Sequence, residues 1–183
     1  MRSDIIYVTQ KVKRLPVALE TADAFAKKMG MNRRQTIRLR LLTEETIGML
    51  REMAGDYRAE LWFEGENKLC ELHLLIDTQM DADKKAELLS VSTTGTNEAV
   101  HGFMGRMRNL IENMMLGKPE AFSNDSSGTS WSLSDYRKRL ESAENTEEWD
   151  ELERSIVANL ADDILVGVEK NSVSMVIRSF LWE

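Results

Sequence analysis

Only one cysteine, two prolines and two histidines occur among the 183 residues of this chain. A lone Cys70 cannot close an intramolecular disulfide, which fits a reducing compartment. Flanked by Leu69, Leu72 and Leu74 in an alternating pattern, it reads as a small core residue. His73 and His101 have no second metal-type partner at a useful spacing, so no zinc motif and no metal ligand are expected. Long apolar runs are missing too. None approaches the ~20 residues that cross a bilayer, and no apolar signal core follows Met1-Arg2-Ser3-Asp4. A cytoplasmic protein without membrane contact is expected.

What is present belongs to a folded globular chain: 42% hydrophobic and 30% charged residues, with a net charge of −7. That length suits one domain with a core large enough to need no covalent staple. The acidic balance argues against a general nucleic-acid binder, which would show a basic face. Arg33, Arg34, Arg38 and Arg40 form a local basic cluster that reads as the solvated side of a helix.

Ile5 to Val12 alternates and is rich in β-branched residues, which predicts a strand. Pro16 suits a first helical turn, Ala18, Ala22, Phe25, Ala26 and Met29 form a helical stripe, and Gly30 can end it. A second helix is expected after Asn32, ending at Ala54-Gly55, with Leu39, Leu42, Met49, Leu50 and Met53 on one face. Ala59, Leu61 and Phe63, then Cys70, Leu72, Leu74 and Ile76, recur at period two around a turn placed at Gly65-Glu66-Asn67, which predicts a hairpin. A short helix over Asp81 to Leu89 and a loop over Ser90 to Thr96 precede a helix capped by Asn97. Its stripe is Val100, Phe103, Met104, Met107, Leu110, Ile111 and Met114, and it ends at Gly117.

A polar loop over about 118–131 leads to helical segments over about 132–161, namely Ser132 to Ser142 and Thr146 to Leu160, the second with a stripe of Trp149, Leu152, Ile156, Val157 and Leu160. These form an insertion before a final hairpin, Ile164–Val168 and Val173–Leu181. Consecutive hairpins exclude an all-parallel sheet. The expected fold is an α/β (α+β) two-layer sandwich, in which helices cover one face of a mixed, largely antiparallel sheet. It forms a single domain over residues 1–183.

Two carboxylates stand out in this order. Glu44 lies mid-helix within Thr43-Glu44-Glu45-Thr46-Ile47-Gly48, and Asp77 follows the buried strand run Leu74-Leu75-Ile76. This layout resembles the histidine-kinase-like ATPases (the GHKL, or Bergerat, fold), and above all the small anti-sigma-factor serine kinases. In that family a helix glutamate polarises the attacking hydroxyl or water, and an asparagine four residues on holds Mg²⁺. An aspartate after a buried strand binds adenine, and a glycine-rich lid wraps the phosphates.

The resemblance places Glu44 as general base, Asp77 at adenine, and Thr94, Gly95 and Thr96 at the phosphates of ATP or ADP. It departs from the family at Gly48, which offers no Mg²⁺ ligand where the asparagine belongs. It departs again at Gln79 and Asp81, which stand where the motif has glycines. Each residue also has a plain reading: Glu44 as an ion-paired or solvated helix residue, Asp77 as a turn former. No Gly-x-Ser-x-Gly elbow and no Walker-type phosphate loop is present.

Three functions stand open at this point. The first is a regulatory or protein-interaction domain on a degenerate ATPase-type fold, with a protein partner and some residual adenine-nucleotide binding. The second is an active kinase or ATPase whose Mg²⁺ is held by Thr43, Glu45 or Asp81. The third is an oligomerisation module without a small ligand, with Trp131, Trp149 and Trp182 as core or contact residues and the last hairpin as a homodimer edge.

Overall fold

The computed structural model describes residues 1–9, 14–53, 57–77, 103–115, 130–142, 146–169 and 172–181. Strand β1 (Ile6–Thr9) is followed by helices α1 (Leu15–Lys28) and α2 (Arg33–Glu52) and the hairpin β2 (Arg58–Glu66) and β3 (Leu69–Asp77). Next come α3 (Phe103–Met115), β4 (Ser130–Ser132), α4 (Leu133–Ser142), α5 (Thr146–Arg154) and α6 (Ile156–Leu160). The hairpin β5 (Asp163–Glu169) and β6 (Ser172–Phe180) closes the order. The six strands form one sheet in the order β1-β2-β3-β6-β5-β4, and every described pairing is antiparallel. The first hairpin and the last therefore lie side by side at the centre of the sheet.

The boundary residues explain the first two helices. Pro16 sits in the first turn of α1, where its missing N–H costs nothing. Gly30, at φ +69°, turns the chain out of the helix while its N–H donates to the Lys27 carbonyl at 3.2 Å. Asn32 then opens α2 with a reciprocal cap. Its side chain accepts from the Gln35 N–H at 2.9 Å, and the Gln35 side chain accepts from the Asn32 N–H at 2.8 Å. Such a cap is worth about 1 kcal/mol.

Alternation along the strands sorts the two faces of the sheet. Ile6 and Val8, Ala59, Leu61 and Phe63, Leu72, Leu74 and Ile76, Ile164 and Val166, and Val173, Met175 and Ile177 are all buried. The helices cover this side. Phe25 of α1 packs on Phe63 with ring centroids 5.6 Å apart, while Phe103 of α3 and Tyr136 of α4 pack on Trp131 of β4. Burying each such leucine, isoleucine or phenylalanine contributes about 1.5–3 kcal/mol. Trp131, expected within a loop, is thus a core residue on an edge strand, and its burial on the covered face explains why the chain is extended there.

Three local expectations shift. The first hairpin turns at Asn67-Lys68, whose φ angles of 48° and 69° mark a two-residue turn of the primed kind. Gly65 lies inside β2 instead. There a Cβ would stand 2.6 Å from Met29 Cε, so the glycine serves close approach of α1 rather than the turn. The helix expected over Thr146 to Leu160 breaks at Ser155, whose hydroxyl accepts from the Ala158 N–H at 3.2 Å and starts α6. The segments 81–89 and 90–97, the helix start before Phe103 and the loop over 118–129 lie outside the described residues, as does Trp182.

Candidate functional site

The expected ATPase-type constellation begins on α2. Within Thr43-Glu44-Glu45-Thr46, the two threonines face the core. Their hydroxyls donate to the carbonyls of Leu39 and Leu42 at 2.8 and 2.7 Å. Thr43 therefore spends its hydroxyl inside its own helix. Glu44 is exposed, on a helix that covers the buried side of the sheet. Packing by the described residues does not demand Gly48, since a Cβ there would meet none of them within 4 Å.

Asp77 lies at the other end of the comparison. It is the last residue of β3, in register with Arg58 and Ser172, and it is exposed. Strand alternation puts it in phase with Leu75 and His73, on the face that the helices leave uncovered. Glu44 and Asp77 are thus on different sides of the sheet layer and are not brought together. Thr94, Gly95 and Thr96 lie outside the described residues, as do Gln79 and Asp81. Tyr57, just before β2, carries a buried hydroxyl without a hydrogen-bond partner among the described residues. Burial raises its pKa, with the Arg51 charge opposing the shift.

Two of the four arginines of the basic cluster make structural pairs, while Arg33 and Arg34 are exposed. Arg38 donates through Nε to the Leu160 carbonyl and meets the Asp162 carboxylate at 3.1 Å, tying α2 to the turn before β5. Arg40 pairs with Asp23 of α1.

A different set of side chains converges on the uncovered face. Register places Trp62, His73, Val176 and Leu165 in one cross-strand row over four strands, with Glu64, Glu71, Arg178 and Asp163 in the next. The Trp62 and His73 rings are stacked, with centroids 5.0 Å apart and planes within 7°. Arg2 lies over the Trp62 ring at 4.6 Å.

His73 Nε2 is 3.1 Å from Glu71 Oε2 and 3.9 Å from Glu64 Oε2. The remaining carboxylate oxygens are tethered from outside. Glu71 Oε1 accepts from Arg178 Nε at 2.8 Å, and Glu64 Oε1 accepts from Trp62 Nε1 at 2.8 Å, with Arg2 at 3.5 Å. His73 and Glu71 are largely enclosed, each with 17% of the side chain exposed, while Glu64 is 40% exposed.

The sequence reading gave no weight to this cluster. Glu64 and Glu71 become neighbours only when the turn is two residues long at Asn67-Lys68. With the turn placed at Gly65-Glu66-Asn67, the pairing shifts and His73 stands alone. The turn chemistry was the available signal, because Asn and Lys at those two positions accept positive φ better than a β-branched pair would. No family model matches the chain, and no curated protein is matched either.

Proposed function

We propose that this protein is a regulatory or protein-interaction domain, built on a degenerate form of the histidine-kinase-like ATPase layout, and that it works through the uncovered face of its sheet. One observation carries the reading: no described helix lies over that face, and it presents a continuous row of large side chains. Trp62, Val176 and Leu165 of that row are partly exposed, and Glu64, Glu71 and Arg178 stand beside them. Aromatic and aliphatic anchors beside charged groups are what a protein partner recognises.

The layout supports the ATPase-type ancestry. A helix bearing Glu44 precedes a hairpin that ends at Asp77, and a terminal hairpin pairs beside it. Catalysis is lost on this reading, because Gly48 supplies no Mg²⁺ ligand where the family has an asparagine. Phosphoryl transfer depends on positioning and charge neutralisation, and an unheld metal ion removes the second. Residual ATP or ADP binding would be weak and independent of metal.

The test is a photo-crosslinking residue at Val176, compared with one at Ile37, which is exposed on α2. In the cells that make the protein, Val176 is expected to give one discrete cross-linked species, and Ile37 none. Equal, diffuse labelling from both positions would end the reading.

A further inference from the structure

We infer that Glu64, Glu71 and His73 form a binding site for a divalent transition-metal ion on the uncovered face, a site independent of any nucleotide chemistry. The ligand atoms of these three side chains lie within 4.8 Å of one another. Two carboxylate oxygens and one imidazole nitrogen suit a borderline cation such as Zn²⁺. A tetrahedral ion with bonds near 2.0 Å needs its ligands about 3.3 Å apart. His73 Nε2 and Glu71 Oε2 are at that separation, at 3.1 Å. Glu64 Oε2, at 3.9 Å from the nitrogen, closes the remaining distance by a small rotation of the carboxylate about the Oε1 that Trp62 holds.

Two observations beyond the cluster itself support an ion. The first is the outer shell. Metal-binding side chains are held by groups that grip their far atoms, and that grip sets affinity as well as orientation. Here each carboxylate has its far oxygen engaged, by Arg178 on Glu71 and by Trp62 Nε1 on Glu64, which leaves the near oxygen of each facing Nε2. The stacked Trp62 ring holds the imidazole plane. The second is access. A cavity of about 290 Å³ opens on the carboxylate side of the cluster, lined by Met1, Arg2, Glu64, Glu66 and Glu71 among others but not by His73. The Met1 ammonium in it is held on the Gly65 carbonyl at 2.7 Å. The cavity leaves room for an ion to enter and for water to complete its coordination.

Arginine charge opposes the ion and has to be weighed. Arg2 and Glu64 are both close to half exposed, so their pair is screened and contributes little. Arg2 can swing away as the ion arrives. Arg178 bonds the outer oxygen of Glu71 and keeps that bond in the metal-bound state.

The experiment is calorimetric titration of the chelator-stripped protein with Zn²⁺, on the native chain and on His73→Phe and Glu71→Gln. The phenylalanine keeps a ring against Trp62, and the glutamine keeps an acceptor for Arg178. The native chain is expected to bind one ion per chain. Each variant should weaken that site at least tenfold while its circular dichroism and its melting temperature without metal stay native-like. Trp62→Phe, which removes the outer donor on Glu64 and leaves a smaller ring against His73, should weaken it by ~10-fold. Absence of a one-to-one site in the native chain would overturn the assignment, as would a site of equal strength in both folded variants. Should His73→Phe not fold, Glu71→Gln alone decides between these outcomes.

Discussion

Cys70 shows how a single position is governed by its surroundings. It is 2% exposed on the covered side of β3, between the buried strands and the helices. Burial, reinforced by the nearby Glu71 charge and opposed by Arg38, pushes its thiol up from 9.0 to about 12. The folded chain therefore keeps the proton over a range in which the unfolded chain loses it. The contribution to stability is complete below about pH 9 and declines as pH rises from there toward 12. Tyr57, also raised by burial, acts in the same direction. At pH 8 a disulfide reagent is expected to leave Cys70 unmodified in the native protein and to react rapidly once denaturant is added. Fast modification without denaturant would show that the strand opens locally. The lone cysteine was read correctly from its neighbours, because alternation alone decides which side of a strand is inside.

Helix α2 holds most of the tension between layout and function at the scale of the element. Its core stripe and its cap at Asn32 are ordinary. The unusual residue is Gly48, mid-helix, where glycine costs about 1 kcal/mol relative to alanine. Among the described residues nothing packs close enough to require it. Gly48→Ala is accordingly expected to stabilise the protein by about 1 kcal/mol, read as a higher urea midpoint at unchanged slope. A destabilised variant would mean that a neighbour does need the space.

Other elements show where sequence signals run out. Helix stripes and strand alternation were legible because they report burial directly. The break at Ser155 was not, because Trp149, Leu152, Ile156, Val157 and Leu160 keep a helical period through it. Only the serine hydroxyl, competing for the Ala158 N–H, marks the boundary. The turn at Asn67-Lys68 was misplaced because Gly65 looks like a turn residue, whereas its role is to admit Met29.

Across the whole molecule, the layered fold was legible and the candidate site was not. A sandwich of helices on a largely antiparallel sheet follows from two hairpins and amphipathic helices, and the described strands are antiparallel throughout. The convergence of Glu64, Glu71 and His73 depends on one turn's length, and the row from Trp62 to Leu165 depends on which hairpins lie side by side. Neither is a property of any local window. No described helix is long and apolar enough to cross a membrane, as composition led us to expect.

The proposal that catalysis is absent rests on Gly48, which offers no Mg²⁺ ligand on α2. The most direct test is ATP turnover by the purified chain with and without Mg²⁺, measured beside Glu44→Ala. The expected result is no Mg²⁺-dependent phosphate release above background from either protein. Metal-dependent turnover in the native chain that disappears in Glu44→Ala would contradict the account and make the protein an active member of the family it resembles.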